Sequence, residues 1–251
     1  MSTRVAIVTG SGQGIGEAIA LRFAAQGMRV ALADRNMEAA EKVAAQILRD
    51  KGEALAIATE LTDSSSVDAM VAQCVARFGA CDILVNNARW SSLAPTRVQD
   101  IRDEDWRRAL DVNVTGAFHC VRAVVPHMIE RKWGRIINLS SATVRMPPGR
   151  PYAHYITTKA ALVGLTRSLA RELGEHGITV NAILPGSVET GVERPGGIDP
   201  AERERRVRAS QAIPRIMKPQ DMAGAALFLA SEDASFITGQ SLAVDGGFSY
   251  G

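Results

Sequence analysis

The segment Thr9-Gly10-Ser11-Gly12-Gln13-Gly14-Ile15-Gly16 constrains this chain more than any other. A short apolar run, residues 5–8, precedes it. In the stretch that follows, residues 15–25, Ile15, Ile19, Leu21 and Phe23 recur near helical spacing, and the pattern stops before Gly27. Glycines between strand and helix permit a tight turn and leave the first helical N–H groups open to close approach. Such a terminus attracts anions, and parallel α/β sheets hold a pyrophosphate there. Position 15 is Ile, so the pattern is T-G-x-x-x-G-x-G rather than G-x-G-x-x-G. The competing reading is a glycine turn that merely packs helix on strand.

The rest of the chain repeats the alternation. Residues 30–33, 55–58, 83–85, 135–139, 178–184 and 242–244 read as further strands. Residues 37–48, 67–78, 103–131, 155–173 and 221–229 read as helices. Asp63 or Ser64 is expected to cap the helix that Gly79 ends, and Pro219 to stand at the first position of the last helix. Pro126 is expected to bend the long helix 103–131 or mark its last turns. Residues 187–218 read as a loose, charged stretch. Seven strands with intervening helices predict a single α/β domain over residues 1–251. Its expected form is a doubly wound Rossmann-type fold, a seven-stranded parallel sheet with helices on both faces. A five-stranded flavodoxin-like sheet with additions is the alternative.

Composition excludes several roles. Lys plus Arg is 29 against 27 for Asp plus Glu, a net charge of +2, so no basic excess points to nucleic acid or an anionic membrane. No 18-residue apolar run suggests a membrane span, and no signal peptide is apparent; a cytoplasmic protein is expected. Cys74, Cys81 and Cys120 form no C-x-x-C, and His119, His127, His154 and His176 lack ligand spacing, so neither disulfides nor a metal is expected. Arg203-Glu204-Arg205-Arg206 reads as a solvated helix face, and Trp106 and Trp133 as packing residues.

Three features carry chemistry. Asp34 ends the second strand, where a carboxylate can bond the hydroxyls of an adenine ribose; it could equally cap the helix 37–48. Tyr155-x-x-x-Lys159 puts a phenol and an ammonium on one helix face, and a fixed cation lowers a phenol's pKa from near 10. Tyr152 has Ile156 at the equivalent position and is set aside. Ser140 and Ser141 stand where the fifth strand ends, on the ligand-binding edge of such a sheet. His154 points off the Tyr–Lys face and reads as structural.

With these residues go Asn86-Asn87-Ala88, Asn113, Pro185-Gly186 with Thr190, and the ending Val244-Asp245-Gly246-Gly247. Together they resemble the short-chain dehydrogenase/reductase family, in its compact branch of 3-oxoacyl-carrier-protein reductases and secondary-alcohol dehydrogenases. Residues 154–159 and 234–247 are similar to 1-phenylethanol-type dehydrogenases. The resemblance implies a catalytic set of Asn113, Ser141, Tyr155 and Lys159. Tyr155 would exchange the proton and Ser141 hold the substrate oxygen. Lys159 would hold the nicotinamide ribose, and Asn113 would kink its helix and hold a water leading to Lys159. It implies cofactor contacts from Gly10, Gln13, Gly14, Ile15, Gly16, Asp34, Arg35, Glu60 and Leu61. Further contacts would come from Asn87, Ala88, Tyr155, Lys159, Pro185, Gly186, Val188 and Thr190. Substrate contacts would come from Ser141, Thr143, Tyr155 and Trp90.

The implied activity is NAD-dependent interconversion of a secondary alcohol and a ketone, in a homotetramer. The alternatives are an NADPH-linked 3-oxoacyl-thioester reductase and a dinucleotide-binding regulator without turnover. A substrate lid is expected at about residues 187–218, with Gly191, Gly196 and Gly197 as flexible points and Pro195 and Pro200 as stiff ones. The chain departs from the family pattern in three places. Arg89 replaces the usual glycine of N-N-A-G and could reach the pyrophosphate or the substrate mouth; solvent is the favoured reading. Glu60 stands for the usual Asp. One extra residue falls between Ser141 and Tyr155, expected as a bulge around Met146-Pro147-Pro148-Gly149 that shapes the substrate pocket.

Overall fold

A computed structural model of the chain describes residues 3–90, 95–149, 151–190 and 199–250. Strands β1 (Val5–Thr9), β2 (Arg29–Asp34), β3 (Glu53–Ala58), β4 (Ile83–Asn86), β5 (Gly134–Leu139), β6 (Ile178–Pro185) and β7 (Ser241–Val244) form one sheet. Its order is β3-β2-β1-β4-β5-β6-β7, and every pairing is parallel. The order reverses between β1 and β4. Crossovers diverge there and leave a crevice beyond the carboxyl ends of the strands, where ligands bind in open α/β sheets.

Side chains alternate across the pleat and feed two cores. Ala6 and Val8 of β1 join one apolar cluster with α1 (Gly14–Ala24), α2 (Met37–Arg49) and α8 (Gln220–Ala230). Val5 and Ile7 join the other with α3 (Ser64–Phe78), α5 (Gly116–Arg131) and α6 (Ala153–Leu173). Burial on both faces is why these strands read as short continuous apolar runs.

Several boundaries differ from the sequence expectation for definite reasons. Asp63 caps α3, its carboxylate accepting from the Ser65 N–H, and Gly79 ends it in the left-handed region. The helix expected over 103–131 is three pieces: α4 (Asp103–Leu110), a π turn (Asp111–Thr115) and α5. The break is this turn, where the Gly116 N–H bonds the Asp111 carbonyl, while Pro126 stands in the last turns of α5, between the buried Val124 and Met128. The stretch 187–218 is not loose throughout. Its described part holds α7 (Pro200–Ser210), capped by Asp199 and laced by Glu202–Arg206 and Glu204–Arg208 pairs on its charged face. Gly191, Pro195, Gly196 and Gly197 lie outside the described residues. Pro219 is the N-cap of α8 rather than its first helical residue.

Trp133 packs as expected, with the Arg4 guanidinium 3.5 Å and that of Arg135 4.3 Å from its ring centre. Trp106 does not: it is 38% exposed, because α4 buries only Ala109. Among the described residues no helix is long and apolar enough to cross a membrane, and no group of three His, Cys, Asp or Glu gathers in metal-ligating range.

Candidate active site

The glycine turn is held from behind by the segment that follows β4. The Asn87 side-chain amide donates to the carbonyls of Thr9 and Gly10, and the Thr9 hydroxyl accepts from the N–H groups of Asn87 and Ala88. Gly10 has φ +64°, and a Cβ there would lie 2.8 Å from the Ala88 Cα. At Gly16 a Cβ would strike the Gly10 carbonyl oxygen, so helix and turn can approach this closely only with glycine. Gln13, the N-cap of α1, makes no side-chain cap hydrogen bond. The first N–H groups of α1 are therefore left for a ligand or solvent.

Two cavities open at this sheet edge. The larger, about 760 Å³, is lined by Gly10, Gln13, Gly14, Asp34, Arg35, Glu60, Leu61, Ala88 and Trp90. Asp34 Oδ2 accepts from the Gly12 N–H at 2.9 Å and Oδ1 from the Asn36 N–H at 2.9 Å. Asn36, not Asp34, caps α2, its side chain accepting from the Ala39 N–H at 3.1 Å. The helix-cap reading of Asp34 is thereby removed, and its carboxylate stands between the glycine turn and the cleft. Glu60 faces the same cleft with Oε1 accepting from the Thr62 N–H and hydroxyl.

The smaller cavity, about 310 Å³, brings together Ser141, Thr143, Tyr155, Lys159, Pro185, Gly186, Val188 and Thr190. Ser141 is the N-cap of the short 3₁₀ turn Ala142–Val144, and its Oγ accepts from the Thr143 hydroxyl at 2.9 Å. Tyr155 lies in the first turn of α6, and the Lys159 Nζ is 5.8 Å from its ring centre. Lys159 is buried and donates to the Leu139 carbonyl at 2.6 Å. Burial, and secondarily the charge of Arg89, pull its pKa from 10.5 down to about 7. The Ser140 hydroxyl donates to the Lys159 carbonyl at 2.7 Å, tying β5 to α6.

Asn113 and Gly16 line neither cavity's described walls. Asn113 sits buried in the π turn as a staple. Its Nδ2 donates to the Trp90 carbonyl at 2.9 Å and to the Thr158 hydroxyl at 3.0 Å, while Oδ1 accepts from the Trp90 N–H at 2.6 Å. Thr158 in turn donates to the Tyr155 carbonyl at 2.8 Å, so the π turn is connected to the turn of α6 that carries the tyrosine. Trp90, expected beside substrate, faces the larger cleft, with its ring centre 6.2 Å from that of His154. His154 is buried, and burial lowers its pKa.

Arg89 is exposed, as the sequence reading favoured, yet it also lines both cavities. On the wall of the smaller cavity, Tyr152 comes from the loop, and Val207 and Gln211 from the stretch 187–218, that the sequence reading set beside substrate, whereas Phe248 was not foreseen. Pro148 and Tyr152 come from the loop with the extra residue, which does shape this wall. Phe248 arrives through the turn at Gly246-Gly247, where Asp245 accepts from three following N–H groups, of Gly247, Phe248 and Ser249. No local pattern announces such tertiary arrivals.

A protein-family model described as Enoyl-(Acyl carrier protein) reductase matches residues 10–249. A 3-oxoacyl-[acyl-carrier-protein] reductase of Synechocystis sp. is 38% identical over 98% of this chain and 97% of its own length. A sorbitol dehydrogenase of Cereibacter sphaeroides is 39% identical over 97% of this chain and 96% of its own. A crystal structure of 3-ketoacyl-(acyl-carrier-protein) reductase from Brucella melitensis complexed with NADH superposes with a TM-score of 0.88. It shares 37% identity and covers 98% of each chain.

Proposed function

Since the chain belongs to the short-chain dehydrogenase/reductase family, a family of NAD(P)-dependent oxidoreductases acting on CH–OH groups, we propose that it interconverts a secondary alcohol and a ketone with NAD(H). The observation that carries this reading is the meeting of Ser141, Tyr155 and Lys159 in one cavity that shares a wall with the glycine-turn cleft. The residues present fit a dinucleotide. The N-terminus of α1 has no side-chain cap, and the glycine turn admits close approach of a diphosphate.

In this reading the dinucleotide, when bound, supplies or takes the hydride. The chain does the rest. Ser141 donates a hydrogen bond to the substrate oxygen, and Tyr155 gives that oxygen a proton in reduction and takes it back in oxidation. Lys159 holds a ribose hydroxyl and presents its charge to the phenol. The Asn113 side chain is consumed by Trp90 and Thr158, so its part is to hold the first turn of α6, and any water relay toward Lys159 uses its main-chain carbonyl. The reading takes residues 1–251 as one catalytic domain, with 187–218 as a lid and four chains in the assembly.

Asp34 supports NAD over NADP. Each carboxylate oxygen accepts one backbone N–H and keeps capacity for a ribose hydroxyl. A 2′-phosphate would set negative charge against it, which costs several kcal/mol. Arg35 on the same cleft opposes this, but its stem is free to swing away, whereas Asp34 is pinned. An NADPH-linked 3-oxoacyl-thioester reductase is the second reading, favoured by the reductases among the relatives. A panel of secondary alcohols, ketones and 3-oxoacyl thioesters against both cofactors, read at the reduced-nicotinamide absorbance band, tests both. NAD should win by roughly 100-fold in kcat/KM. Equal or better NADP use would show that Arg35 prevails, and dinucleotide binding with no turnover of any kind would point to a regulator.

A further inference from the structure

The dinucleotide reading above leaves one charged residue at the centre of the site without a role. We propose that Arg89 grips the diphosphate of the bound dinucleotide, a clamp that the glycine usual at this position cannot supply. The two cavities have four residues in common: Ile15, Asn87, Arg89 and Thr190. A ligand with its adenosine end beside Asp34 and its nicotinamide end beside Tyr155 crosses from one cavity to the other at this seam. The middle of such a ligand is its diphosphate, with two negative charges. Of the four seam residues only Arg89 is charged.

The base of the Arg89 side chain is fixed. Ala88, its neighbour, donates to the Thr9 hydroxyl and abuts Gly10. The guanidinium itself is uncommitted, because Arg89 makes no ion pair among the described residues and is exposed. On the other side of the seam stand Ile15 and the uncapped N-terminus of α1. A diphosphate is then held between helical N–H groups and a planar, permanently charged fork suited to phosphate oxygens. A substrate carboxylate is the rival occupant, but the far wall of the smaller cavity, at Tyr152, Val207, Gln211 and Phe248, carries no charge to bring it there. The charge of Arg89 also helps hold the Lys159 ammonium down, and a diphosphate beside Arg89 relieves that repulsion where the lysine must carry its proton.

The test compares the unmutated protein with Arg89→Gly, Arg89→Met and Arg89→Lys, reading NADH fluorescence and displacement of NADH by ADP-ribose or adenosine. Arg89→Gly and Arg89→Met should weaken NADH and ADP-ribose by about tenfold or more, with adenosine unchanged. Arg89→Lys should fall between, and raised salt should shrink the advantage of the unmutated protein. Two different variants that lose the charge guard against a loop effect of glycine alone. If both bind ADP-ribose as tightly as the unmutated protein, the clamp is wrong. Selective loss of turnover on carboxylate-bearing ketones would then assign Arg89 to substrate. An unmutated protein that binds neither NADH nor ADP-ribose would sink the dinucleotide reading, and the clamp with it.

Discussion

At Lys159 an amine is taken out of water with a backbone carbonyl as its partner, and burial lowers its pKa from 10.5 to about 7. The sign of the consequence is fixed by linkage. Between those values the unfolded chain holds the proton and the folded one does not, so stability rises with pH across that window. The contribution is complete above 10.5 and is lost as pH falls through about 7. Lys159→Met should therefore raise the Tm of the cofactor-free protein at and below neutrality, and its advantage should shrink toward pH 10. A Tm difference that stays flat across this range would contradict the buried charge. Tyr155→Phe removes the proposed proton donor and keeps the ring. We expect kcat to fall about 100-fold or more, with NADH binding nearly unchanged; near-normal turnover would overturn the mechanism. The spacing of Tyr155 and Lys159 could be read from the chain because a helix fixes i,i+4 neighbours locally. The role of Asp34 could not, since a helix cap and a ribose acceptor both call for a carboxylate just beyond a strand. Asn36, two residues on, takes the cap and so removes that alternative. Phe248 was invisible because the C-terminal turn, with no period of its own, delivers it.

At the scale of elements, helices were readable where one-sided burial imposed a period, and strands such as β1 where burial on both faces left a continuous apolar run. The π turn at Asp111–Thr115 was foreseen only as a kink implied at Asn113, since five residues with one extra per turn leave no hydrophobic signature. Helix α7 was legible only as the charged face Arg203–Arg206, without its bounds, because it is held by charge pairs and the Asp199 cap, with Val207 its one buried apolar side chain among the described residues. It lines the smaller cavity with Val207 and Ser210, and Arg203 latches it to the neighbouring loop. Arg203 donates to the Val188 carbonyl at 2.9 Å and to the Ser187 hydroxyl at 3.1 Å, on the loop whose Val188 and Thr190 line the smaller cavity. If residues 187–218 act as the proposed lid, this latch couples lid position to the nicotinamide end of the site. Saturating NADH should protect the segment from limited proteolysis, and Arg203→Ala should be cut about tenfold faster without cofactor, the scale of a lost charge-assisted bond. Equal cleavage rates with and without NADH would remove the lid.

For the whole molecule, the proposed assembly rests on exposed apolar side chains. On the side of the sheet that carries α5, Trp106 and Phe118 are exposed, with the Arg122 guanidinium 5.3 Å from the Phe118 ring centre. On the side that carries α8, Phe228 is exposed, and Leu242, Phe236 and Tyr250 are exposed near the sheet's β7 end. Strand β7 is also an edge strand of the sheet, with no further strand beside it among the described residues. Exposed aromatic side chains on the two sides of the sheet are the candidate places for a covering partner. If each surface pairs with its own copy about a two-fold axis, the two axes together generate a closed tetramer. The unmutated protein should therefore show about four times the 26.8 kDa chain mass in sizing with light scattering at micromolar concentration. The two interfaces should also fail independently. Phe118→Glu should leave dimers joined through the α8 and β7 surface, Phe228→Glu should leave dimers joined through α4 and α5, and the double variant should run as a monomer. A monomeric unmutated protein would refute the assembly. A tetramer that survives Phe228→Glu combined with Leu242→Glu would mean that the second axis passes through some other surface.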